Sequence, residues 1–232
     1  SVRQGRGRID QNQNRDSLMD CSNITGITVN YETPKLLVMA LSSIHRFYPD
    51  LKIVVVNLSC FPWKGKIRNV EFHNLGQNIG HGPGMHYGLM RTKTDFALCF
   101  DTDIILKKPC LEQMVEQMTR GSYGVGQVIN VDEKGRNSDR GTRYLHPHFM
   151  LLRVNQYFKY HRFVHHGAPC IRAMEDLKSK GKSYIVKDFP VSAYVYHKGR
   201  GTRRLQPRDF TKNWHEKSAE PNLSDAALSN HA

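Results

Sequence analysis

Nowhere in the 232 residues does an apolar run approach the ~18 residues a membrane-spanning helix requires. The opening stretch, SVRQGRGRIDQNQNRDS, also has no apolar centre of the kind a signal peptide needs. Membrane association, if any, is expected to be peripheral or to use chain outside this segment. Cysteine is sparse: Cys21, Cys60, Cys99, Cys110 and Cys170 are odd in number, widely separated and never spaced as CxxC. This argues against a disulfide framework and the usual zinc sites, and for a reducing, cytoplasmic setting. The N-x-S/T triplets at Asn23, Asn57 and Asn222 are no more than chance supplies and carry no secretory meaning. Acidic residues are also short, 21 against 34 Lys plus Arg, which leaves a net charge of +13. That excess attracts anions such as nucleotides, nucleic acid, anionic glycans or lipid headgroups. Part of it lies in RQGRGR near the start and HKGRGTRRLQPR near the end, where solvated basic tails are the plainer reading.

There is no internal repeat. Residues 1–22 are polar without apolar period and read as a disordered leader, and 213–232 read as a flexible tail. The folded domain is expected over 23–212. Within it NITGITVNY reads as a strand and TPKLLVMALSSIHRFY as a helix, with Thr33 as N-cap and Pro34 in the first turn. LKIVVVNL is a nearly continuous apolar strand, as expected where both faces of a parallel sheet are covered. VEFHNL, the glycine-led helix GPGMHYGLMRT and the strand DFALCF follow. Strands alternating with helices predict an α/β domain with a mostly parallel central sheet and ligands at the strand ends. The second half predicts a helix opened by Pro109, strands in SYGVGQVINV and HPHFMLLRV, a helix closed by Gly181, and strands in SYIVKDF and SAYVYH.

FALCFDTDIILKKP sets Asp101 and Asp103 directly behind a core strand. Ionised carboxylates so tightly bracketed by apolar residues need a positive partner. Two carboxylates one residue apart on a strand-end turn suit a hard cation with oxygen ligands, Mg²⁺ or Mn²⁺, which would in turn meet phosphates.

ITVNYETPKLLVMALSSI, IVVVNLS and NLGQNIGHGPGMHYGLMRTKTDFALCFDTDI follow one another in an order that resembles the opening half of GT-A glycosyltransferases, the large family-two group above all. The resemblance covers about residues 25–108. It implies a Rossmann-like GT-A fold, a nucleotide-sugar donor and a Mn²⁺ or Mg²⁺ cofactor, with a donor half at 23–108 and an acceptor half at 109–212. It also implies that Val29, Asn30 and Glu32 rim a uridine pocket and that Asn57, where the family usually has Asp, contacts the base. His81, Gly82, Gly84 and His86 would lie along ribose and diphosphate, though polar helix-start residues are the alternative for the two histidines. Thr102 joins the donor contacts with Asp101. His197 resembles the late histidine that metal-dependent members use as a further ligand beside Asp101 and Asp103. Arg200, Arg203 and Arg204 would close over the leaving diphosphate.

A general base is harder to place. The family's acidic pair opens the helix that ends at a glycine such as Gly181. Here Glu175 and Asp176 come late in that helix, while His165 and His166 sit at its mouth. Glu133, Asp132 and Asp139 are further candidates, and VINVDEKGRNSDRGTRY is the candidate lid. The expected activity is metal-dependent transfer from a UDP-sugar to a glycan or other hydroxyl acceptor, with inversion. The rivals are a nucleotide- or nucleic-acid-binding module without turnover, and a transferase acting on modified nucleic acid.

Overall fold

The computed structural model describes residues 19–132, 136–164 and 167–199. Its elements are β1 (Ile24–Asn30), α1 (Pro34–His45), β2 (Lys52–Asn57), β3 (Val70–Asn74), α2 (His81–Met90), β4 (Phe96–Phe100), β5 (Ile104–Leu106), α3 (Leu111–Glu116), β6 (Gly124–Val131), β7 (Thr142–Arg153), α4 (Val154–Tyr157), α5 (Ile171–Ser179), β8 (Val186–Asp188) and β9 (Val195–His197). Seven strands form one sheet in the order β3-β2-β1-β4-β7-β6-β8, and β5 pairs with β9 in a separate two-stranded ribbon. Only β7 runs against the others in the large sheet, which is the mostly parallel α/β arrangement expected.

Both faces of that sheet are covered, which explains the continuous apolar runs. On β2, Ile53 and Val55 face one layer, with Leu37, Leu41 and Ile44 of α1, while Val54 and Val56 face the other. On β4, Phe96, Leu98 and Phe100 alternate with Ala97 and Cys99 in the same way. Each fully buried aliphatic side chain here contributes about 1.5–3 kcal/mol relative to exposure. Glycine lets α2 lie close on β1. A Cβ on Gly88 would stand 2.5 Å from Ile27 Cγ2, and one on Gly84 would stand 3.0 Å from Val29.

Thr33 holds the N-cap position of α1 but makes no capping bond, because its hydroxyl donates to Asn30 Oδ1 at 3.0 Å instead. One local expectation, the start of α3, is corrected. The helix expected to open at Pro109 starts at Leu111, where the Tyr48 hydroxyl accepts the N–H groups of Cys110 and Leu111 at 2.6 and 2.9 Å. In the candidate lid, Val128 to Val131 of β6 pair with Leu145 to Thr142 of β7. Gly181, at φ +66°, closes α5 as expected. At the start of the described chain, Cys21 is buried in the layer under α1.

Candidate active site

The carboxyl ends of β1, β2 and β4 meet at one edge of the sheet, where a chain of hydrogen bonds ties their loops together. Asn30 Nδ2 donates to Asn57 Oδ1 at 2.8 Å, and Asn57 Nδ2 donates to Phe61 O at 3.0 Å and Asn74 Oδ1 at 2.9 Å. That Asn74 oxygen also accepts the Trp63 N–H at 2.7 Å. Glu32, at φ +55°, donates its N–H to Ser59 Oγ at 2.8 Å. The hydroxyls of Thr33 and Thr102 lie 3.0 Å apart, which joins the β1 loop to the turn carrying the aspartates. Val29 is buried against Gly84.

Asp101 and Asp103 sit on the turn between β4 and β5. The register of the small ribbon supplies their neighbour. Ile104 pairs with His197, and Lys198 N–H donates to Asp103 O at 3.0 Å. His197 Nε2 is thereby held 3.2 Å from Asp103 Oδ1 and 3.7 Å from Asp101 Oδ2. One ligand atom from each of the three residues lies within 4.8 Å of the others. His81, the first residue of α2, brings Nε2 to 3.3 Å from Asp101 Oδ1, and with it the positive end of that helix. Asp101 Oδ1 is nevertheless buried without a well-aligned hydrogen bond. Two carboxylates, one of them with an orphaned buried oxygen, and an imidazole are a donor set that fits Mn²⁺ or Mg²⁺.

Two further residues at the site escape a linear reading. His146 and His148 lie on β7, the strand antiparallel to β4, and Asp101 N–H donates to His148 O at 3.0 Å. The His148 ring stacks on His197 with centroids 4.6 Å apart and 14° between planes. His146 Nδ1 accepts the His148 backbone N–H at 3.3 Å, and the Nδ1 atoms of the two rings lie 2.7 Å apart. Alternation of two histidines in HPHF was the available signal, but only strand pairing says which strand they face.

Electrostatics follow from this crowding. Burial pushes the Asp101 carboxyl up, but His81 and His197 at its oxygens outweigh that and hold it well below the usual carboxylate range. Burial, then His146 and His197, press His148 down to about 3. Burial also lowers His146. Burial opposes protonation of His197, yet its bond to Asp103 and the charges of Asp101 and Asp103 raise it on balance.

The other expected site residues have different surroundings. Gly82 and Gly84 are buried in α2, and His86 Nδ1 lies 2.8 Å from the Tyr157 hydroxyl. Glu175 lines a cavity with Asp132, Arg136 and Arg140. Asp176 accepts the His161 N–H at 3.1 Å and pairs with Lys180 at 2.8 Å. Asp132 accepts from Arg136 N and Nε, and Asp139 is exposed. His165, His166, Glu133, Arg200, Arg203 and Arg204 lie outside the described residues.

Residues 63–177, just under half of the chain, match the model of glycosyl transferase family 2. Solved structures agree on a GT-A fold. The mannosyltransferase PcManGT from Pyrobaculum calidifontis, in complex with GDP-Man and Mn²⁺, superposes with a TM-score of 0.53 at 14% identity over 72% of this chain and 55% of that one. TarS from S. aureus in complex with UDP-GlcNAc gives 0.52 at 15% identity over 75% and 58%. Mannosyl-3-phosphoglycerate synthase from Rubrobacter xylanophilus gives 0.50 at 15% identity over 72% and 64%. The chain thus spans between 55% and 64% of the length of these structures. No helix among the described residues is long and apolar enough to cross a membrane.

Proposed function

We propose that the chain is a metal-dependent glycosyltransferase that moves a sugar from a nucleotide-diphosphate donor, UDP-linked in the first instance, to an acceptor hydroxyl with inversion. The observation that carries the reading is the convergence of Asp101, Asp103 and His197 within 4.8 Å at the carboxyl edge of the sheet. In this reading residues 23–108 bind the donor and 109–212 the acceptor, a glycan or another hydroxyl compound. One neighbour holds GDP-Man with Mn²⁺ and another UDP-GlcNAc, which supports the donor class and leaves the base to be tested.

Asp101, Asp103 and His197 hold Mn²⁺ or Mg²⁺, which when bound supplies a Lewis acid that neutralises the leaving diphosphate. His81 steadies Asp101 at Oδ1, while His197 approaches Oδ2. Gly82 and Gly84 let the donor's ribose and phosphates approach the α2 backbone, and Val29, Asn30, Glu32, Thr102 and Asn57 shape the nucleoside end. Arg200 and Arg203 offset charge on the departing diphosphate. The acceptor proton leaves to a base drawn from His165, His166, Glu175 and Asp176.

The test is release of nucleoside diphosphate from a panel of UDP- and GDP-sugars, with Mn²⁺, with Mg²⁺ and with chelator. Metal-dependent release is expected, and Asp103→Ala should abolish it while the protein stays folded. Release that ignores both metal and Asp103, or no release from any donor with acceptors present, overturns the proposal.

A further inference from the structure

We infer that the chain carries a second binding site, remote from Asp101, for an anionic carbohydrate chain. A cavity of about 360 Å³ opens beside the start of β8, lined by Lys159, Lys182, Lys187, Tyr160 and Tyr184 among others. It sits at the other edge of the sheet. Lys187 neighbours Val186, the partner of Gly124 at the start of β6, and Lys159 follows β7, whose last residue Arg153 pairs with Phe96 at the start of β4. Asp101 follows the far end of β4, so the five residues of that strand separate the two places by on the order of 15 Å.

Three ammonium groups around one cavity repel one another, and none of them has an ion-pair partner among the described residues. No carboxylate lines the cavity. Asp176 on α5 pairs with Lys180, whose Nζ lies 5.1 Å from the Tyr160 ring. An anion with several charged groups relieves that repulsion. The aromatic residues say what kind of anion. Tyr184 and Phe158 are 69% and 51% exposed, and Tyr160 lines both this cavity and an adjoining one of about 390 Å³ shared with Phe158, His161 and Arg162. Exposed rings beside a cationic pocket offer flat apolar faces on which sugar rings pack, while the lysines meet sulfate, phosphate or carboxylate groups. The choice of carbohydrate over nucleic acid rests on the transferase reading, since an acceptor must bring hydroxyls and a long one gains from being held at a second point.

The experiment titrates a fluorescent sulfated hexasaccharide with the full chain and reads anisotropy, in chelator and without nucleotide so that the donor site takes no part. Lys159→Glu, Lys182→Glu and Lys187→Glu combined should weaken binding by about tenfold or more, since each reversal replaces an attraction by a repulsion. A control reversal of Lys52, Lys64 and Lys66, also exposed but beside β2 and β3, should cost less than about threefold. Tyr184→Ala should weaken binding about threefold with no change of charge. Melting curves establish that each variant is folded. Equal losses in the two triple variants, competition by inorganic phosphate as effective as by the hexasaccharide, or tighter lysine-dependent binding of a short single-stranded oligothymidine would each overturn the inference. Turnover is read separately as release of nucleoside diphosphate: lysine-dependent binding without release removes the transferase reading alone, and release with lysine-independent binding removes this site alone.

Discussion

Asn57 is held by contacts that suit an amide and not a carboxylate. Both amide protons go to oxygens, Phe61 O and Asn74 Oδ1, so a carboxylate here would lose two donors and face two acceptors at 3.0 and 2.9 Å. Asn57→Asp should therefore destabilise the fold by about 1–3 kcal/mol, the cost of buried groups left unsatisfied. A variant as stable as the parent in denaturant titration would show that the network relaxes freely. His197 is argued at the same scale. Its replacement by Ala should weaken Mn²⁺ binding and slow transfer together, with the rate partly restored by more Mn²⁺. A variant that melts lower but keeps the parent's Mn²⁺ dependence would remove His197 from the metal site. Asp101 and Asp103 were legible because they follow a recognisable strand, and His197 through its resemblance to a late metal-binding histidine. His146 and His148 were not, because their place beside the aspartates depends on which strand β7 pairs with.

Elements set those positions through register and close approach. The parallel half was readable because strands covered on both faces leave long apolar runs and helices open at Pro34 and the α2 glycines. The reversal of β7 has no such signature: a strand covered on both faces is apolar in either direction. The ribbon of β5 with β9 was equally hidden, since each strand has only three residues and their pairing joins positions far apart in the chain. Glycine at position 88 belongs to this scale too. With Ile27 Cγ2 2.5 Å from where a Cβ would sit, Gly88→Ala must push α2 away from β1. Despite the better helix propensity of Ala, a loss of about 1–3 kcal/mol is expected from overpacking. A gain in thermal stability would mean that α2 shifts at little cost, and a fall in donor affinity beyond the fall in stability would tie the helix position to the site.

At the scale of the whole molecule the crowded histidines make stability depend on pH from both sides. His148 has a folded value of about 3 against the ordinary ~6.5, so below ~6.5 the unfolded chain takes up a proton that the folded chain refuses. Stability therefore falls as pH drops from ~6.5 toward about 3, and His146, lowered by burial, acts in the same direction. Asp101 is depressed, so its contribution holds above the ordinary ~3.9 and disappears only in stronger acid. His197 has the opposite sign. Its raised value means that the protonated ring stabilises the fold fully below ~6.5, and this is lost as pH rises through the folded value. Metal-free protein should thus be most stable near neutrality and lose stability on the alkaline side. A cation between the same carboxylates does the work of that proton and requires His197 neutral, so the two compete. The rise in melting temperature produced by excess Mn²⁺ should grow as pH increases across the range in which His197 deprotonates. Melting curves in chelator and in Mn²⁺, taken in half-unit steps from acid to mildly alkaline pH, read both slopes at once. A Mn²⁺ shift that stays constant across the series in the parent, and matches that of His197→Ala, would show that proton and metal do not share this imidazole.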